Sequence, residues 1–360
     1  MTPTEERAYL EQFEQFLTTR AAALAPQTDR DPEALHQVFE DFKTQLGLTV
    51  RIPCNAGGRF LSEQGFATFR MQLARYCGSL SFLQAQHQVA VSWLGKSPQQ
   101  KYVRLVYQQI VHDGMALGIG FPSPRHQPFE VTQVGHTYLV SGEIPWVTGY
   151  GFLQHIVTSF QKDGYRHFFL LPFHACAQAS GHLSYSAPLS LIVFNALNTV
   201  RARLENWQVP GDKIFLSLPV NLAAKPERHN SVYTLAGASQ GLQDWVEQRS
   251  DLPGGLAAEA QRLDQRLQRY VQNIRSEGGS PAALRAEGAQ LAQEWATLAR
   301  WAYGGSALLL DHPVNRLSRE VWQYCIAGLR PGDLEAVYPT DPQDADRDAH
   351  RSVPRGTTRS

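Results

Sequence analysis

From residue 4 to about 112, apolar side chains recur at helical spacing, as in "GFATFRMQLARYCGSLSFLQAQHQVAVSWL", where Phe66, Phe69, Leu73, Tyr76 and Leu80 share one stripe. "GKSPQQKYVRLVYQQIVHDG" continues the pattern, with Ser97 placed to cap a helix and Pro98 at its first position, where a missing N–H costs nothing. Between about 128 and 217 the pattern changes to short alternating or β-branched runs. These are "FEVTQV", "TYLVSG", "FLQHIVTSF", "RHFFLLPF", "LSLIVF" and "ALNTVRARLENWQV", separated by Gly, Pro, Asp and Ser. Asp163-Gly164 in "QKDGYR" suits a type I′ hairpin, which needs positive φ at both central residues. Helical periodicity returns from about 228 to 328, interrupted by "DLPGG" and "EGGSPA". The tail "YPTDPQDADRDAHRSVPRGTTRS" has no apolar period and reads as disordered. The predicted fold class is mainly α with an embedded β domain. It divides into an N-terminal helical domain (1–125), a β domain (126–218), a C-terminal helical bundle (219–338) and the tail (339–360).

Composition narrows the function. At 360 residues and 43% hydrophobic content the chain can bury a large core. Lys plus Arg equals Asp plus Glu at 33 each, which removes the electrostatic footprint of a general nucleic-acid binder and gives no reason to expect a membrane partner. The start "MTPTEERAYLEQFEQF" is acidic and amphipathic, unlike a signal peptide, so the chain reads as cytoplasmic. Cys54, Cys77, Cys176 and Cys325 lie far apart without a C-x-x-C pair and read as buried free thiols. His167, His174 and His182 lack the spacing that puts two ligands on one helix face, so no metal site is expected.

Three short patterns offer chemistry. "LGKS" has Ala90 where a phosphate-binding loop needs glycine, and no G-x-G-x-x-G lies between a strand and a helix, so nucleotide folds of those kinds are unsupported. "GASQG", residues 237–241, fits the nucleophile-elbow pattern. It would make Ser239 a hydrolase nucleophile with Asp311 and His312 or His350 as partners. The preceding 220 residues show no alternating βα pattern, and a small-residue helix face explains the match as economically.

"TYLVSGEIPWVTG" at the start of the β domain and "ENWQVPGDKIF" at its end lie between two helical zones, and this layout resembles the acyl-CoA dehydrogenase family. The resemblance covers roughly residues 60–337. "LARYCGSLSFLQAQHQVAVSWLGKSPQQK" looks like that family's helices before the β domain, and "YGGSALLLDHPVNRLSREVWQYCIAGL" like its closing segment. It implies an FAD site, with Trp146 against the isoalloxazine ring and the Thr148 hydroxyl directed at N5. An indole face suits an apolar ring, and a short hydroxyl can donate to a ring nitrogen. The resemblance also implies that Arg249 meets the FAD diphosphate of a neighbouring subunit, and that Gly304 and Gly305 let backbone approach the adenine dinucleotide. A homodimer or homotetramer follows from the Arg249 role.

The chain also departs from the family. "GFPSPRHQPF" is shorter than the family's cofactor loop and lacks its Gly-Ser pair. The usual catalytic glutamate position falls at Gly328, and the alternative one near Ser231, with Glu227 about a turn earlier as the weak candidate base. Loss of a positioned base costs about 10²–10⁴ in rate. The expectation is a divergent FAD-dependent oxidoreductase acting on an acyl thioester or another small organic molecule. Its alternatives are a flavin monooxygenase of the same fold, or a binding or assembly protein that kept the scaffold.

Overall fold

The computed structural model describes residues 1–122, 128–220, 230–276 and 280–327. Helices come first. α1 (Pro3–Phe16) passes through a π-helical turn, Leu17–Ala21, into α2 (Ala22–Thr28); α3 (Pro32–Thr44), α4 (Glu63–Tyr76), α5 (Gly78–Gly95) and α6 (Gln100–Asp113) follow. Local chemistry sets several starts. Asp31 accepts from Glu33 N ahead of Pro32 at α3, and Ser62 Oγ accepts from Gly65 N at 3.0 Å at α4. Phe13 stacks on Phe69 with centroids 4.5 Å apart, so α1 and α4 share one aromatic core.

Three predicted details are corrected here. The stripe from Phe66 to Leu80 is not one helix: Cys77 is extended (φ −148°), ending α4 and starting α5. Ser97 is not the residue that precedes α6, which is Gln99; its buried hydroxyl accepts from Gln99 N at 3.0 Å and donates to Phe215 O, pinning the start of α6 to the β portion. The predicted run "LSLIVF" forms no strand either. The Asn195 side chain bonds both the N–H and the carbonyl of Leu191, closing the segment into a loop.

The β portion contains two sheets. One orders β1 (Leu117–Ile119), β4 (His155–Lys162), β5 (Tyr165–Pro172) and β9 (Leu216–Pro219), with β1 and β4 parallel. The other orders β2 (Glu130–Val134), β3 (Thr137–Val147), β8 (Val200–Pro210), β7 (His182–Tyr185) and β6 (Cys176–Ala177). Asp163 (φ 50°) and Gly164 (φ 79°) make the predicted β4–β5 turn.

The closing helices are α7 (Asn230–Glu247), α8 (Gly254–Arg275), α9 (Pro281–Tyr303) and α10 (Pro313–Ile326). α7 packs on α4 at close range. A Cβ added at Gly237 would lie 2.2 Å from Met71 O, and one at Gly241 2.8 Å from Arg75 O. The "GASQG" pattern is therefore a helix-packing signal. Ser239 is buried inside α7 and donates to Leu235 O at 2.8 Å, so the hydrolase reading is overturned. Of its proposed partners, His312 caps α10 by accepting from Val314 N, and His350 lies outside the described residues.

Buried polar contacts join the three zones. Asp29 accepts Phe194 N at 2.7 Å and Arg319 Nη1 at 2.6 Å, linking the end of α2, the loop before β8 and α10. His87 is fully buried: its Nδ1 accepts Leu117 N at 3.0 Å, which leaves Nε2–H to donate to Leu48 O at 2.9 Å. Among the described residues no helix is long and apolar enough to cross a membrane and no His, Cys, Asp or Glu group could hold a metal. All four cysteines are free; Cys77 alone is fully buried, and Cys54, predicted buried, is exposed.

Candidate functional site

The site begins with a proline. Pro145, near the end of β3, has no N–H for the ladder, and the β3–β8 register shifts by one residue between Ile144↔Ala202 and Val147↔Val200. The bulge buries Ile144, Pro145 and Val147 and turns Trp146 outward, leaving its ring 58% exposed at the strand's end. Beyond it, Gly149 adopts φ 100°, which favours glycine, and a Cβ there would meet Leu153 at 2.5 Å. Gly149 N bonds Leu197 O at 2.8 Å, so the end of β3 is tied to the segment entering β8.

That tie brings two hydroxyls together. Thr148 Oγ1 lies 3.0 Å from Thr199 Oγ1; Thr148 is half-buried and Thr199 is 3% exposed. Sequence reasoning missed Thr199. The signal was the mirrored pair Val147-Thr148 and Thr199-Val200: once the two valines pair in antiparallel register, the threonines must face each other. Trp146 and Thr148 thus present an open aromatic face beside a hydroxyl pair.

Arg249 and Gly304 meet elsewhere. Arg249 follows α7, and its guanidinium carbon sits 5.2 Å from the ring centroid of Tyr303, the residue before Gly304. Tyr303 OH donates to Trp245 O at 2.8 Å, which fixes the ring, and His312 packs edge-on to it at 4.8 Å. The two-pronged face of Arg249 is already engaged: Nε and Nη2 bond Asp251 at 2.7 and 2.8 Å. This pairing raises the Arg249 pKa and lowers that of Asp251. Gly304 has φ 57°, and neither Gly304 nor Gly305 has an atom within 4 Å of an added Cβ, so both face open space. Among the described residues no hydrogen bond, ion pair or ring contact joins this group to Trp146 and Thr148.

Ser231, near the alternative position expected for a base, meets an arginine. Buried Arg285 donates to Ser231 Oγ at 2.8 Å, to Cys325 O at 3.0 Å and to Ala327 O at 2.8 Å. It therefore ties the start of α7 to the chain just before Gly328. Gly328, Glu227 and the tail 339–360 lie outside the described residues, as do residues 123–127 within "GFPSPRHQPF". Two clefts of about 650 and 660 Å³ lie apart from all these groups. One is lined by Gln243, Asp264 and Gln268, the other by His112, His155 and Lys213, and neither is bordered by Trp146, Thr148 or Arg249.

No family model matches the chain. No curated protein matches it either. Solved structures do. Butyryl-CoA dehydrogenase from Megasphaera elsdenii superposes with a TM-score of 0.77 at 11% identity, over 94% of this chain and 97% of that one. A glutaryl-CoA dehydrogenase from Mycobacterium smegmatis in complex with FADH2 gives 0.79 at 13%, over 93% and 94%. The prolyl acyl carrier protein oxidase AnaB gives 0.74 at 14%, over 98% and 100%. Helices, two-sheet β portion and closing helices follow one another over nearly the full length in each case, and the chain has the acyl-CoA dehydrogenase fold.

Proposed function

We propose that this chain is a flavin-dependent oxidoreductase that binds FAD and takes an acyl thioester or a related small organic substrate. The observation that carries the reading is the end of β3, where a bulge exposes the Trp146 ring beside the Thr148 hydroxyl. These two residues fit a flavin ring: an indole face excludes water from one side of it, and a hydroxyl in that place can donate to N5. Bound FAD would supply the two-electron acceptor for the substrate. The similar solved structures include proteins named for butyryl-CoA, glutaryl-CoA and a prolyl carrier protein, and one of them holds FADH2, which supports both the cofactor and the substrate class.

The chain's own residues then have separate tasks. Trp146 covers the ring, Thr148 orients it, and Gly304 and Gly305 leave room for a dinucleotide. Arg249 would leave Asp251 to hold a diphosphate, an exchange of one anion for another by the same planar fork. The pair it leaves is solvent-exposed and therefore adds little to stability. Neither of the two clefts described above is bordered by Trp146 or Arg249, and among the described residues no contact joins them, which supports a homodimer or homotetramer in which a neighbour completes the site.

The Arg249–Asp251 pair favours one second reading: a scaffold in which the arginine serves the fold and FAD is no longer held. Absorbance of the purified protein decides between them. A flavin spectrum, as isolated or after FAD is added and excess removed, is expected. Protein that stays colourless with FAD in excess overturns the flavin reading and leaves the scaffold.

A further inference from the structure

Thr148 and Thr199 carry two hydroxyl hydrogens and share one contact of 3.0 Å. Among the described residues, neither hydroxyl has another hydrogen-bond partner. If Thr148 donated, the spare hydrogen would sit on Thr199, which is 3% exposed and has nowhere to send it. If Thr199 donates, the spare hydrogen sits on half-buried Thr148, where a ligand or water can accept it. An unmatched buried donor is disfavoured by roughly tenfold or more, so the second arrangement prevails.

We propose that Thr199 is a positioning residue that fixes Thr148 as a donor toward the bound ligand, so that this site matches an acceptor there and mismatches a donor. The inference rests on the flavin reading above and deepens it. In the oxidised ring N5 is an acceptor; after two electrons and a proton arrive, N5–H is a donor. Thr148 serves the first state. To serve the second it must take its own hydrogen off the ring, and among the described residues the one other acceptor in reach is Thr199, whose own hydrogen would then be stranded in the core. The threonine pair thereby holds the bound ring toward its oxidised form.

The test is the midpoint potential of FAD-bound protein, read by reductive titration against a reference dye, for the natural protein, Thr199→Val and Thr199→Ser. Valine keeps the shape and removes the hydroxyl, freeing Thr148 to accept. The expected result is reduction favoured about tenfold, a rise of about 30 mV for a two-electron couple, with serine restoring the natural value. A valine variant that retains FAD at the natural potential overturns the role of Thr199 while leaving the flavin reading intact. Natural protein that takes up no FAD overturns both. Should Thr199→Val fail to hold FAD, the N5 vibration in resonance Raman of the natural protein decides. A band shifted in heavy water by a hydrogen bond at N5 is expected, and an N5 without one overturns the proposal.

Discussion

His87 shows how one residue can carry a pH dependence. It is wholly buried, its Nδ1 must accept from Leu117 N and its Nε2–H must donate to Leu48 O, so only the neutral ring fits both contacts. Burial pushes its pKa down to about 4. Because the folded value is depressed, the stabilisation is complete above the unfolded pKa near 6.5 and is lost as pH falls toward 4. The total is about 3 kcal/mol. Glu320, buried beside Arg316, acts in the opposite sense: burial raises its pKa to about 7, so its contribution is lost as pH rises through that value. Urea unfolding of the natural protein and of His87→Gln between pH 7 and pH 4 separates the two. The stability gap between them should shrink by about 3 kcal/mol on going down in pH, and a constant gap would remove His87 as the cause. None of this was legible in the sequence, where His87 is one histidine in an apolar helical run. Its partners lie 39 and 30 residues away and become known only when the chain folds.

At the scale of elements, period and punctuation carried much of the information. The helical runs, the Asp163-Gly164 turn and the long strand ending at Pro210 follow from the spacing of apolar residues and from turn chemistry alone. What sequence reasoning misplaced depends on neighbours. "GASQG" matched an elbow because Gly237 and Gly241 recur at i and i+4, the same spacing that lets two helices touch backbone to backbone. Two substitutions should separate packing from catalysis. Gly237→Val drives a side chain into Met71 O and should destabilise the fold by about 1–3 kcal/mol or more in thermal or urea unfolding. Ser239→Ala removes only a bond to Leu235 O, should shift stability by less than about 1 kcal/mol, and should leave a fluorophosphonate probe without a target it ever had. Trp146 was legible as chemistry but not as geometry. A strict two-residue alternation does not tell which way its ring points, whereas Pro145 and the bulge it forces do.

At the scale of the whole molecule, the two groups assigned above to the proposed flavin stand in separate places. Trp146, Thr148 and Thr199 lie at the end of β3, while Arg249, Tyr303 and Gly304 lie at the end of the bundle. If neighbouring chains complete each other, light scattering should give two or four times the 40.2 kDa chain mass. Arg249→Ala should then weaken FAD retention on the order of tenfold without lowering the unfolding midpoint. A 40.2 kDa particle whose FAD content is untouched by Arg249→Ala would remove the cross-subunit arrangement. Asp29, joined to Phe194 and Arg319, shows the converse design: contacts within one chain already tie its three zones together.

Arg285 has a consequence for anyone wishing to install a proton-abstracting group in this scaffold. Its guanidinium is anchored by Ser231 Oγ on one side and by the carbonyls of Cys325 and Ala327, at the end of α10, on the other. A carboxylate introduced at Ser231 would arrive next to a resident cation, which would favour its ionised form and weaken its basicity. Such a group would be held in place and charged, yet reluctant to accept a proton. A carboxylate introduced there alone would therefore be a poor base, and an effective one would require the arginine to change with it.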